Sequence, residues 1–165
     1  MQKDLKEIYD REGYVVVREA IDSALVEEAQ RHVHWLLEKN PGVRPEHLHA
    51  HLAWNDPFWV RLISDNRLLD IAQQFVGPDI ALFATHYICK PPRTGQAVLW
   101  HQDGSYWPIE PMNVITMWLA VSDSMPANGC MRVIPRTHHL VLEQHEERKD
   151  VDNVLGSAMK EQYVD

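Results

Sequence analysis

The chain has 165 residues, of which 45% are hydrophobic and 24% are charged, and this is the size and composition of a single globular domain with a real core. Its formal net charge of −8 argues against a nucleic-acid partner, and no apolar run approaches the roughly 18 residues that cross a membrane, so we expect no membrane partner. The two cysteines, Cys89 and Cys130, form no disulfide framework, and the charged N-terminus is unlike a signal peptide, which favours a cytoplasmic setting.

The first 78 residues carry mainly helical patterns. Apolar residues recur at helical spacing, and residues that commonly cap helices stand at the ends of each run. The pattern predicts four helices: one over Leu5, Ile8 and Tyr9 that ends at Gly13, one from Asp22 or Ser23 to Asn40, one that begins at Asp56-Pro57, and one from about Arg67 to Val76. Between the first two helices, Tyr14–Val17 is typical of a short buried strand.

After Gly77 the pattern changes from helical to strand-like. An Asn128-Gly129 pair predicts a turn between the last two strands, and Glu143–Asp152 is typical of a charged, solvated excursion. The predicted strands are Asp79–Cys89, Gln96–Asp103, Val114–Ser122 and Cys130–Ile134. Helices followed by a run of strands predict one α+β domain over residues 1–165, with a sandwich- or barrel-like sheet.

His101 and Asp103 are the candidate metal ligands. Side chains alternate between the two faces of a strand, so these two project toward one point while Gln102 is directed elsewhere. An imidazole and a carboxylate make half of the 2-His-1-carboxylate site of non-haem Fe(II) enzymes. A His-x-Asp pair also arises often by chance, and alternate histidines at His47, His49 and His51 offer a second, less rigid set of metal ligands.

Several short motifs, in their order and spacing, together resemble the phytanoyl-CoA dioxygenase family. The segment Glu12–Val17 is also similar to the first strand of that family. The resemblance covers nearly the whole chain and rests on Lys90-Pro91-Pro92, Trp100–Asp103, Trp118–Val121, Asn128-Gly129-Cys130 and Val133-Ile134-Pro135.

The resemblance implies a double-stranded β-helix, the jelly roll of cupins, with N-terminal helices packed outside it. Residues 1–78 would form the mainly helical part, and residues 79–165 the first portion of the jelly-roll core. It also implies Fe(II) as cofactor, 2-oxoglutarate and O₂ as cosubstrates, and hydroxylation of a small-molecule or acyl substrate. His101 and Asp103 would then be catalytic metal ligands.

Five further residues receive roles from the resemblance. Trp118, Lys90 and Gln102 would bind 2-oxoglutarate, and Tyr106 and Trp107 would line the mouth of the substrate pocket. Trp118 is equally well explained as a core tryptophan, and Lys90 as a solvated loop residue beside two prolines.

The family has a third iron ligand, a distal histidine, shortly before an arginine that holds 2-oxoglutarate. Neither has a counterpart among the 165 residues, so the resemblance implies a chain whose C-terminal strands are missing. Two alternatives therefore stay open. One is a non-catalytic binding module on the same fold, and the other is a cupin-like metal enzyme that completes its site with a nearer histidine and does not use 2-oxoglutarate.

Overall fold

The structure is a computed structural model that describes residues 4–48 and 56–160. Within these residues there are four α-helices, all in the first half of the chain: α1 (Leu5–Glu12), α2 (Ser23–Lys39), α3 (Pro57–Ile63) and α4 (Asn66–Val76). The predicted helices are thus confirmed, with one residue of difference at the start of α4. None of these described helices combines the length and the apolar character that a membrane span requires.

Short polar side chains begin each of the four helices. Aspartates at positions 4, 22, 56 and 65 accept hydrogen bonds from backbone N–H groups of the first helical turn, which have no partner within the helix. Gly13 ends α1 with φ at 82°, a left-handed conformation that glycine adopts without steric cost. The helix ends are therefore properties of the local sequence.

The buried core lies between α2 and α3. Ala29 and Val33 of α2 are buried in one cluster with Phe58 and Leu62 of α3. Leu119 and Val121 of the second half pack against this cluster, and the Gln30 side chain of α2 donates a hydrogen bond of 2.7 Å to the carbonyl of Val121. The helical half thus holds the segment around Val121 in place.

The second half contains much less regular strand than predicted. Among the described residues the only strands are β1 (Glu146–Glu147) and β2 (Ser157–Ala158), which pair antiparallel with Glu146 opposite Ala158. An isolated parallel bridge joins Ala97 to Asn153. The segment Glu143–Asp152 is mostly exposed, as expected of a charged, solvated excursion, and the exposed strand β1 lies inside it.

None of the predicted strands forms as a regular strand within residues 4–48 and 56–160. The predicted turn at Asn128-Gly129 is a 3₁₀ turn over Pro126–Asn128, followed by Gly129 in a left-handed conformation. β-Propensity and alternation favour an extended backbone, but a strand also needs a partner along a hydrogen-bonded ladder. In the segment around His101, the carbonyl of Ala97 accepts one backbone hydrogen bond from Val154, and the carbonyl of Trp100 accepts one from Met159, each of 2.9 Å. The predicted strands that are missing are Tyr14–Val17, Asp79–Cys89, Gln96–Asp103, Val114–Ser122 and Cys130–Ile134.

Candidate metal centre

His101 and Asp103 converge where an extended segment meets a 3₁₀ turn over Asp103–Tyr106. Gln102 between them is extended, with φ at −111° and ψ at 118°, so its two neighbours point to the same side. The Nε2 atom of His101 lies 3.1 Å from Oδ1 of Asp103. The convergence that the spacing predicts is present, although the segment has no regular strand ladder.

The other ring nitrogen of His101 is already engaged. Nδ1 donates a hydrogen bond of 2.7 Å to the carbonyl oxygen of Leu99. In the neutral imidazole this contact places the proton on Nδ1 and leaves the lone pair of Nε2 directed toward Asp103. Histidines that bind metals commonly use this arrangement, in which the second nitrogen is held by a carbonyl or a carboxylate.

The carboxylate of Asp103 is oriented by Thr116, which contacts the oxygen that does not face His101. The hydroxyl of Thr116 donates a hydrogen bond of 3.2 Å to Oδ2, which leaves Oδ1 facing His101. The side chain of Asp103 is 46% exposed and that of His101 is 25% exposed. Both side chains therefore keep part of their surface in solvent, as ligands of a metal with exchangeable positions must.

The electrostatics of the pair favour a positive charge between the two side chains. The hydrogen bond to Asp103 raises the pKa of His101 above its ordinary value, against the effect of burial. The hydrogen bond from His101 lowers the pKa of the Asp103 carboxyl, again against burial, with further contributions from Thr116 and the charge of His86. In the protonated form of His101, the proton between Nε2 and Oδ1 lies where a metal cation would lie in the neutral form, and the donor set fits Fe(II).

Tyr106 lies at the rim of this pair. Its ring centroid is 6.2 Å from that of His101, its side chain is exposed, and its hydroxyl lies 2.9 Å from Oγ of Ser157. Trp107 instead packs edge-on against Phe83, with 5.9 Å between ring centroids. Of the two residues predicted to line a substrate mouth, the structure places Tyr106 beside the candidate metal ligands.

The three residues predicted to bind 2-oxoglutarate lie in different surroundings. Lys90 donates a hydrogen bond of 3.1 Å to the carbonyl of Gly129, and Trp118 is 44% exposed. Gln102 uses its side-chain amide to contact the backbone of Val141 and Glu143. Their roles toward a cosubstrate stay predictions.

Sequence reasoning missed Thr116 and His145 as neighbours of the pair. His145 accepts a hydrogen bond of 3.2 Å at Nε2 from the backbone N–H of Gln102, and its ring stacks on Tyr106 at 5.1 Å. Burial lowers the pKa of His145, and the positive charge of His101 lowers it further. No local signal indicated these contacts, because both residues approach from distant parts of the chain.

A third protein ligand is not assembled at the pair by the residues that the structure describes. These residues contain no group of three or more histidine, cysteine, aspartate or glutamate side chains arranged to hold a metal. His138, considered as a nearer third ligand, instead donates a hydrogen bond of 3.0 Å from Nε2 to the carbonyl of Asp10. Among the alternate histidines, His47 lies in the 3₁₀ turn Pro45–His47, while His49 and His51 fall outside the described residues.

The sequence model of the phytanoyl-CoA dioxygenase (PhyH) family matches residues 9–163, which is nearly the whole chain. The chain belongs to this family. The predicted resemblance is thereby confirmed, and the matched range includes the candidate metal ligands.

Relatives in the PhyH family carry names of dioxygenases that act on different compounds. An ectoine dioxygenase of Sphingopyxis alaskensis is 26% identical over 94% of this chain and 55% of its own length. The human peroxisomal phytanoyl-CoA dioxygenase is 35% identical over 48% of the chain and 25% of its own length. A probable alpha-ketoglutarate-dependent hypophosphite dioxygenase of Stutzerimonas stutzeri is 29% identical over 47% of the chain and 27% of its own length. The chain therefore spans about half the length of the ectoine dioxygenase. No solved structure matches it.

Proposed function

We propose that the protein is an Fe(II)- and 2-oxoglutarate-dependent dioxygenase that hydroxylates a small-molecule or acyl substrate. The observation that carries the proposal is the convergence of His101 and Asp103, with Nε2 and Oδ1 3.1 Å apart and both side chains partly exposed. Membership of the PhyH family and the names of its relatives support the same chemistry. The corresponding fold is a jelly roll with the helices α1–α4 outside it.

In this proposal, Nε2 of His101 and Oδ1 of Asp103 hold the metal, and the residues behind them hold these ligands. The carbonyl of Leu99 fixes the ring orientation and tautomer of His101, and Thr116 fixes the carboxylate of Asp103. When bound, Fe(II) and 2-oxoglutarate use O₂ to oxidise a substrate C–H bond to an alcohol, with succinate and CO₂ as the other products. The exposed ring of Tyr106 forms part of the wall that the substrate meets.

Metal binding by the two ligands is tested by titrating Mn(II) under anaerobic conditions into the unsubstituted protein, His101→Ala and Asp103→Ala. We expect each substitution to weaken binding by more than about tenfold, the loss that even outer-shell partners of a ligand commonly cause. The matched controls are His34→Ala and Asp79→Ala, because both side chains are exposed. Equal affinity in all five proteins would refute the assignment of the ligands.

The same proteins separate the two alternative functions. A 2-oxoglutarate-dependent enzyme binds 2-oxoglutarate more tightly when Mn(II) is present, because metal and cosubstrate occupy one site. A cupin-like metal enzyme would bind Mn(II) without this coupling, and a non-catalytic module would bind neither. Calorimetric titration of 2-oxoglutarate with and without Mn(II) distinguishes the three cases.

A further inference from the structure

We propose that Gln102 is a positioning residue that fastens the segment Val141–His145, here called the strap, to the turn that carries the two metal ligands. The inference rests on the proposed function, because that function makes His101 and Asp103 metal ligands. The fastening itself rests on contacts that do not involve a metal.

The side-chain amide of Gln102 contacts the backbone of the strap at both of its polar atoms. Oε1 accepts a hydrogen bond of 2.8 Å from the backbone N–H of Glu143, and Nε2 donates one of 3.3 Å to the carbonyl of Val141. Val141 and Glu143 are two residues apart in the chain. The side chain of Gln102 thus makes the two backbone hydrogen bonds that a neighbouring strand would make in a regular sheet. The backbone N–H of Gln102 also donates to Nε2 of His145 at 3.2 Å.

The residues that follow Gln102 add further contacts to the strap. The Ser105 hydroxyl donates a hydrogen bond of 3.3 Å to the carbonyl of Glu143, and Tyr106 stacks on His145 with 13° between the ring planes. Gly104 leaves room for Leu142, since a Cβ added at Gly104 would lie 3.2 Å from a methyl carbon of Leu142. The strap thus contacts the turn at Gln102, Gly104, Ser105 and Tyr106, and Asp103 stays exposed.

The position of Gln102 makes these contacts matter for the metal ligands. It lies between His101 and Asp103, so a rotation of its backbone turns both ligand side chains away from their common point. Both polar atoms of its amide contact the strap, Nε2 at Val141 and Oε1 at Glu143, so in this proposal the side chain supports the ligands through the strap. Supports of this kind commonly change metal affinity by 10- to 100-fold.

The test compares Gln102→Met, which keeps the length of the side chain but removes both hydrogen bonds, with Gln73→Met on the exposed face of α4. We measure Mn(II) affinity without 2-oxoglutarate, amide hydrogen exchange at Glu143, and the urea midpoint. Gln102→Met is expected to weaken Mn(II) binding about tenfold and to accelerate exchange at Glu143, whereas Gln73→Met changes neither. Gln102→Glu keeps the acceptor for the N–H of Glu143 and should restore protection of that amide.

Two outcomes overturn the positioning role. In one, Gln102→Met leaves Mn(II) affinity and exchange at Glu143 unchanged. In the other, it weakens only 2-oxoglutarate binding to the Mn(II)-loaded protein, which would make Gln102 a cosubstrate ligand. If the unsubstituted protein binds no Mn(II), the proposed function fails, and exchange at Glu143 still decides whether Gln102 fastens the strap.

Discussion

Glu46 is the most deeply buried charged side chain among the described residues, and replacing it by glutamine should destabilise the fold. It is 2% exposed and lies in the 3₁₀ turn Pro45–His47. Its Oε1 atom accepts a hydrogen bond of 3.0 Å from Arg44 and another of 2.8 Å from the backbone N–H of Gln96. The carboxylate therefore ties the helical half to the start of the segment that leads to His101.

The expected loss of folding stability in Glu46→Gln follows from the pKa of Glu46. Burial opposes its ionisation, but the hydrogen bonds from Arg44 and from the backbone N–H of Gln96 lower its pKa from 4.5 to about 2. At 1.36 kcal/mol per pKa unit the full shift corresponds to about 3 kcal/mol of stability. Arg44 is 46% exposed, so solvent screens the ion pair, and we expect Glu46→Gln to lose about 1–2 kcal/mol at pH 7.

The difference in the free energy of unfolding between the unsubstituted protein and Glu46→Gln should also depend on pH. Because the folded-state pKa of Glu46 is lowered, its stabilising effect is complete above the unfolded-state pKa of about 4.5 and is lost as the pH falls toward 2. The gap between unsubstituted protein and Glu46→Gln should therefore shrink from pH 6 to pH 3.

Urea unfolding followed by circular dichroism measures this gap at each pH. Glu147→Gln is the matched control, because the Glu147 side chain is 69% exposed and forms only a surface ion pair with Lys149. The reasoning is refuted if Glu46→Gln and Glu147→Gln change the free energy of unfolding equally, or if the gap for Glu46 stays constant between pH 6 and pH 3.

Two further predictions concern the helix ends. Asp56→Ala removes the hydrogen bond of 2.9 Å to the backbone N–H of Phe58 that begins α3 and also the contact of Asp56 with His32, so we expect a loss of about 1–2 kcal/mol in urea unfolding. His32→Ala removes the contact with Asp56 and leaves the cap in place, and an equal loss in both variants would contradict the capping role. Gly13→Ala should lower the thermal midpoint by several degrees, because φ is 82° and a Cβ would lie 2.5 Å from the ring of His138. Gly42→Ala is its control, with open space around the added methyl group, and an equal shift in both variants would rule out this explanation.

The sequence alone determined the helices and the convergence of the two candidate metal ligands, because both features depend on neighbouring residues. Asp22 and Asp56 bind N–H groups two or three positions ahead of them, and Gly13 ends its helix through its own backbone conformation. His101 and Asp103 meet because an extended residue between them places both side chains on one side. Each of these features is complete within a few residues of chain.

Tertiary structure decided which extended segments found hydrogen-bonding partners and which residues contact the two candidate metal ligands. Thr116 reaches Asp103 from 13 residues away, and the contact between Gln102 and Glu143 spans 41 residues. Alternation in the sequence specifies which side chains share a face, but it does not specify which distant backbone supplies the hydrogen bonds. The predicted strands therefore lack their ladders among the described residues, while Gln102, expected to point away from the ligands, contacts a segment that only the folded chain brings beside it.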